Sequence, residues 1–384
     1  MRKVLLATTA LGMGAGAAFA QDAMEMAPPI TLKGAAEMGV AGGSDTSARF
    51  HTDIGLEFVM QGTTDGGVTF GTTVELADGD GSSRDETGGI AINMSGPFGN
   101  LTLGDTDGAF DWALKEVDDG LAGAIGDEHR GPGRMDNNGL DGLHDGQILR
   151  YDYSFSGFSF GGSLELDDEL PVSAAAMTPH ATRTSEDRGS GEAVFGVGGK
   201  YEMAMGENTV GVGVGYQMGS KGATALRTTA GVYTDRDGDA DTTEVDDYTA
   251  IGASAHVSTA YGLTLIGNYS RSEREDSRGT EGTNVYDGTL TYAGLGIGYV
   301  AGPVKLGLNV GTQDSDYGDG ANGSANDNDM TGIGLGINYD LGGGASLKFG
   351  ANSWERDYPE DNDPTTASKD RDGNAWSLGV AFAF

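Results

Sequence analysis

Bulky apolar residues fall at every second position of this chain, in runs of about ten, and the runs recur from residue 30 to the end. Val210, Val212, Val214 and Tyr216 alternate with Gly211, Gly213, Gly215 and Gln217, and Ile333, Leu335, Ile337 and Tyr339 with Gly332, Gly334, Gly336 and Asn338. The last ten residues set Trp376, Leu378, Val380, Phe382 and Phe384 against Ala, Ser and Gly. A period of two is that of a strand, whose successive side chains point to opposite faces. The pattern predicts sixteen strands, at about 30–41, 46–61, 67–77, 87–95, 100–105, 147–155, 158–166, 190–203, 208–218, 246–258, 262–272, 287–300, 303–312, 329–340, 345–355 and 373–384. Short turn sequences such as Thr63-Thr64-Asp65-Gly66, Ser156-Gly157 and Gly342-Gly343-Gly344 alternate with long polar connections at 78–86, 106–146, 167–189, 219–245, 273–286, 313–328 and 356–372. Within 219–245, the stretch 225–233 reads either as an extra strand or as a hairpin inside a loop.

A soluble sandwich also alternates, so the period alone does not fix the fold. Here one face is apolar in strand after strand, while the other carries Gly, Asn, Thr and charge. That combination gives an all-β fold: a 16-stranded antiparallel transmembrane β-barrel with short periplasmic turns, long external loops and an aromatic carboxy-terminal residue, Phe384. Closure leaves no sheet edge, as a bilayer demands, because an unpaired backbone group in hydrocarbon costs several kcal/mol. Sixteen strands enclose more space than side chains can fill, so the expected lumen holds water. After the first twenty residues no run of apolar residues is long enough for a membrane helix.

Residues 1–20 read as an export leader, with basic Arg2 and Lys3, an apolar run from Val4 to Met13 and the small-x-small site Ala18-Phe19-Ala20. The expected organisation is a cleaved leader over 1–20 and a barrel over 21–384. Cysteine is absent, which excludes disulfides and thiolate metal sites. Against 58 acidic residues stand 23 basic ones, a formal net charge of −35, or −37 once Arg2 and Lys3 leave with the leader. Such a field repels nucleic acid and draws cations.

The stretches ITLKGAAEMGV, FVMQGTTDGGVTFGTTVEL, SGPFGNLTLGD, LRYDYSFSGFSFGGSL and INYDLGGGASLKFGANS, in that order and spacing, resemble the general diffusion porins of alphaproteobacteria, the Rhodobacter-type sixteen-stranded porins. The likeness covers essentially the whole mature chain. It implies a homotrimer in the outer membrane, in contact with lipid and lipopolysaccharide, whose third loop folds inward and narrows a pore for small hydrophilic solutes and ions. The loop in that place is 106–146, and the constriction candidates on it are Asp107, Asp111, Glu116, Asp118, Asp119, Asp127, Glu128, Arg130 and Arg134.

Strand phase turns Lys33, Arg49, His51, Asp53, Glu57, Arg150, Lys200, Lys305 and Lys348 inward, and the expected pore wall comprises Lys33, Glu37, Arg49, His51, Asp53, Glu75 and Arg150. Glu37 and Glu75 stand where the resemblance calls for basic residues, which weakens the positive half of any field across the pore. Passive diffusion with a preference for cations is the expected activity, and a substrate-specific outer-membrane channel is the rival.

No cofactor is expected. The segment Asp235, Asp237, Asp239, Asp241 resembles half a calcium loop, but Ala240 occupies the position that needs glycine and no bidentate Glu follows. Histidines 51, 129, 144, 180 and 256 are scattered, with no Ser or carboxylate at a hydrolase-like spacing, so the chain does not read as an enzyme. Within the long loop, His129 and His144 next to Glu128 and Asp145 are the alternative metal ligands.

Overall fold

A computed structural model of the protein describes residues 30–44, 46–78, 89–126, 129, 147–166, 193–222, 226–227, 233–234, 245–276, 288–317, 328–357 and 371–384. In chain order the elements are β1 (Ile30–Gly43), β2 (Arg49–Thr63), β3 (Thr69–Asp78), β4 (Ile90–Gly96), β5 (Gly99–Gly104), α1 (Ala109–Ala113), β6 (Ile148–Phe155), β7 (Phe158–Leu166), β8 (Ala193–Met205) and β9 (Asn208–Gly222). The two-residue strands β10 (Leu226–Arg227) and β11 (Tyr233–Thr234) follow, then β12 (Val245–Ser258), β13 (Leu263–Asp276), β14 (Gly288–Ala301), β15 (Val304–Tyr317), β16 (Asn328–Gly342), β17 (Ala345–Asp357) and β18 (Arg371–Ala383).

Sixteen of these strands form one closed sheet in which each pairs antiparallel with its neighbours in sequence, β9 pairs with β12, and β18 closes on β1. All sixteen expected segments appear. The open question at 225–233 resolves as a loop hairpin, since β10 and β11 pair only with each other. Closure runs from Ala35 opposite Ala383 to Gly43 opposite Ala375. It extends to the last residue: the Phe384 N–H donates to the Gly34 carbonyl at 2.8 Å, and the Gly34 N–H donates to the Phe384 carbonyl at 3.3 Å.

The barrel is inside out relative to a water-soluble protein. Leu295 is 61% exposed on the outer wall, with Val197, Val214, Ile297 and Ile333 also exposed, whereas the inward residues Gln217, Ser254, Asn268, Asn309 and Ser377 are buried. Such an exterior suits hydrocarbon and not water, which decides against a soluble sandwich. Tight turns join the strands at one end; at Ser156-Gly157 both residues have positive φ, 51° and 84°, the geometry of a two-residue hairpin turn. Around that turn Tyr153, Phe155, Phe158, Phe160 and Tyr201 form an outer aromatic patch, with Phe158 and Tyr201 ring centroids 4.3 Å apart. Trp354 covers Gly373 on the inner side, in step with inward Lys348 and Gly350.

Candidate functional site

The connection after β5 enters the barrel and runs along its inner wall. Helix α1 packs on β6 to β9. Beyond it Lys115 meets β12 and β13, Val117 and Leu121 meet β14, Ala122 meets β15 and β16, Ala124 meets β17, and Ile125 meets β18 and β1. The described part of the loop therefore follows the wall from β6 round to β1.

Two features hold it there. The first is apolar: Ala109, Phe110, Ala113, Val117, Leu121, Ala122, Ala124 and Ile125 are buried between loop and wall. They press against inward glycines. A Cβ on Gly198 would overlap the Ala109 carbonyl, one on Gly213 the Ala113 carbonyl, one on Gly296 the Val117 carbonyl and one on Gly336 the Ala122 carbonyl. Only a strand face without side chains lets a second backbone lie so close.

The second feature is polar, and it engages residues that strand phase had turned inward. Arg150 donates from Nη1 to the Asp107 carbonyl at 2.6 Å, and Lys200 Nζ donates to the Trp112 carbonyl at 2.9 Å while lying 3.9 Å from the centre of the Trp112 ring. The Ala109 and Lys115 N–H groups donate to the hydroxyls of Ser163 and Ser254, and Asn268 donates to the Lys115 carbonyl at 2.8 Å. Further along the loop the Asn309 amide donates to the His129 carbonyl at 3.1 Å, and the Glu37 carboxylate accepts hydrogen bonds from the Gly126 N–H at 3.3 Å and from Lys348 Nζ at 2.6 Å. These side chains satisfy loop backbone that would otherwise lack partners.

Of the expected constriction residues, Asp107 is exposed, and Asp111, Glu116 and Asp119 are partly exposed on the loop. Asp118 sits closer in, its side chain 7% exposed and 3.6 Å from His129 Nε2. Asp119 lies 3.7 Å from Lys115 Nζ. Burial pushes the Asp119 carboxyl above the ordinary range, Lys115 opposes this and Asp118 adds to it. Asp127, Glu128, Arg130 and Arg134 lie outside the described residues, as do Asp235, Asp237, Asp239, Asp241, His144 and Asp145.

On the wall, Arg49, His51, Asp53 and Glu57 share the inner face of β2, in register with Ala41, Gly39, Glu37 and Lys33 of β1, and Glu57 faces Glu75 of β3. Lys33 Nζ is 3.3 Å from Glu57. Among the described residues no cluster of three metal-binding side chains occurs.

The Gram-negative porin family matches residues 7–357 and again 258–384. The chain belongs to the Gram-negative porin family. A porin of Rhodobacter capsulatus is 26% identical over 367 residues, covering 92% of this chain and all of that protein. Among solved structures, a loop-deletion mutant of OmpT, an outer membrane protein of Vibrio cholerae, superposes with a TM-score of 0.60 at 13% identity over 92% of this chain and 99% of its own. An anion-selective porin from Comamonas acidovorans superposes with a TM-score of 0.55 at 16% identity, again over 92% and 99%. This porin is accordingly a non-enzymatic channel of the Gram-negative outer membrane, and the lumen described above is its pore.

The sequence reading missed α1 and the anchoring roles of Ser163, Ser254, Asn268 and Asn309. One signal was available: Phe110, Leu114, Val117 and Leu121 recur at intervals of four, three and four within an acidic stretch, the spacing of an apolar stripe along a helical path. For the anchors no signal exists, because a neutral polar residue facing a pore looks the same whether water or loop backbone lies opposite.

Proposed function

We propose that the protein is a passive diffusion pore for small hydrophilic solutes and ions that prefers cations, with the 106–146 loop as its constriction. One observation carries the reading: inward Arg150, Lys200 and Lys348 are engaged by loop backbone or by Glu37, while Asp107, Asp111, Glu116 and Asp119 keep exposed surface on the loop. These three cations are thus drawn into anchoring, and carboxylates of the loop keep surface toward the solute. In a low-dielectric channel fixed charge of one sign raises the local concentration of the other. The fold itself does not set selectivity, since a porin of similar fold from Comamonas acidovorans is anion-selective; the side chains at the narrows do.

Reversal potentials across planar bilayers in a potassium chloride gradient test this. Cation preference is expected, and clear chloride preference would overturn it. Flux rising linearly with concentration for chemically unrelated solutes is expected as well; saturation for one class would mark a substrate-specific channel.

The same reading includes export through a leader cleaved before Gln21 and assembly as a homotrimer. What supports the trimer is the low wall at β4 and β5, which are 7 and 6 residues long. A spanning strand needs about 9–11 residues. The exposed outer residues there, Ile90, Ile92, Met94, Leu101 and Leu103, fit burial against a second copy better than a bilayer too thick for them.

A further inference from the structure

We propose that Glu37 is the catch that fixes the constriction loop to the wall at Gly126, and that Lys348 is the positioning residue that aims it. The proposal rests on the reading of that loop as the constriction.

Glu37 stands on β1 and Lys348 on β17, with β18 between them. Lys348 can reach across because its register partner on β18 is Gly379, which in turn faces Gly39 on β1, so the path holds no side chain of the wall. The ammonium donates to Oε1 of Glu37 at 2.6 Å, and Oε2 is left to accept the Gly126 N–H at 3.3 Å. Both side chains are largely enclosed, at 19% and 22% exposure, so the pair is not a freely solvated one.

Upstream, loop N–H groups go to the neutral hydroxyls of Ser163 and Ser254. At Gly126 the acceptor is an ion, and hydrogen bonds to ions are the stronger kind. Next to it the Ile125 side chain fills the space over Gly39 and Gly379, an apolar plug beside the polar hook. Position matters as much as strength. The loop carries many carboxylates, and an unpaired Glu37 would be repelled by them; the Lys348 charge keeps it turned toward Gly126.

The catch acts on the loop and not on the barrel ladder, whose backbone pairs between β1, β18 and β17 stand without it. Freed at Gly126, the loop swings into the lumen, and the open current acquires brief downward steps.

The test uses the full-length protein in planar bilayers, with hydrogen exchange of the 115–126 segment followed by mass spectrometry. Glu37→Ala and Lys348→Met are expected to raise open-channel noise several-fold and to speed exchange in that segment about tenfold, leaving 109–113 unchanged. Glu37→Gln, which keeps an acceptor but not the charge, should fall between, and it serves if Glu37→Ala does not fold. The double swap Glu37→Lys with Lys348→Glu keeps an ion pair but offers Gly126 no acceptor at position 37, so it should stay noisy. A quiet, slowly exchanging swap would reduce the pair to a wall brace, and wild-type noise and exchange in both single variants would overturn the catch outright. A wild-type channel that carries no current strikes the functional reading instead, and the exchange measurement still decides the catch.

Discussion

A residue's orientation and its occupation are separate facts in this barrel. Alternation alone turns Arg150, Lys200 and Lys348 inward, but each finds a loop carbonyl or a carboxylate there and so does not stand as an open charge of the pore. Asp118 and Asp119 make the same point on the loop, one drawn against His129 and the other left partly open beside Lys115. For Asp119 the raised carboxyl has a definite sign. Between the ordinary aspartate range and the raised value the folded protein holds a proton that the unfolded chain has released, so stability falls as pH rises through that window and the full cost is present above it. Thermal unfolding in detergent should therefore lose stability with rising pH across that window more steeply in the wild type than in Asp119→Asn. Identical pH profiles for the two would show that Asp119 is ordinary.

At the scale of elements, strands and loop are matched by subtraction. The wall supplies glycines where the loop backbone passes, at Gly198, Gly213, Gly296 and Gly336, and the loop supplies apolar residues that fill the remaining space. Overpacking one such point costs about 1–3 kcal/mol, carried by whichever element yields more easily. The loop yields, because β14 is paired on both sides from Gly288 to Tyr299, beyond Gly296 in each direction. Gly296→Ala should thus displace the loop near Val117 and lower single-channel conductance while barrel unfolding stays near the wild-type midpoint. An unchanged conductance would mean that the loop does not bear on the pore at that point. The sixteen strands were legible from their period, with ends that differ by a few residues, as at β1, which runs on to Gly43, and β9, which runs on to Gly222. Helix α1 is only five residues long and sits in an acidic stretch, so its stripe is visible chiefly in hindsight.

Across the whole molecule, the wall is uneven in height. Strands from β8 onward in the barrel have 13 to 15 residues, while β4 and β5 have 7 and 6. A bilayer of uniform thickness cannot suit both sides, and the proposed subunit contact along the low side would resolve the mismatch. Native mass measurements in mild detergent should give a trimer for the wild type. Ile92→Arg, which sets a charge in the exposed apolar patch of that side, should give folded monomers; a wild-type monomer would remove the proposal.

The sequence by itself determined the wall: a two-residue period with one apolar face fixes strands, phase and the membrane, because each strand's pattern is local and is repeated sixteen times. It also supplied the excess of carboxylates. Only the tertiary structure decided what that wall encloses. Whether Glu37 is a pore charge or a catch, and whether a glycine is lumen or seat, depends on which residue of a loop some ninety positions away comes to rest against it. Contacts of that kind follow from closure of the barrel and carry no period along the chain.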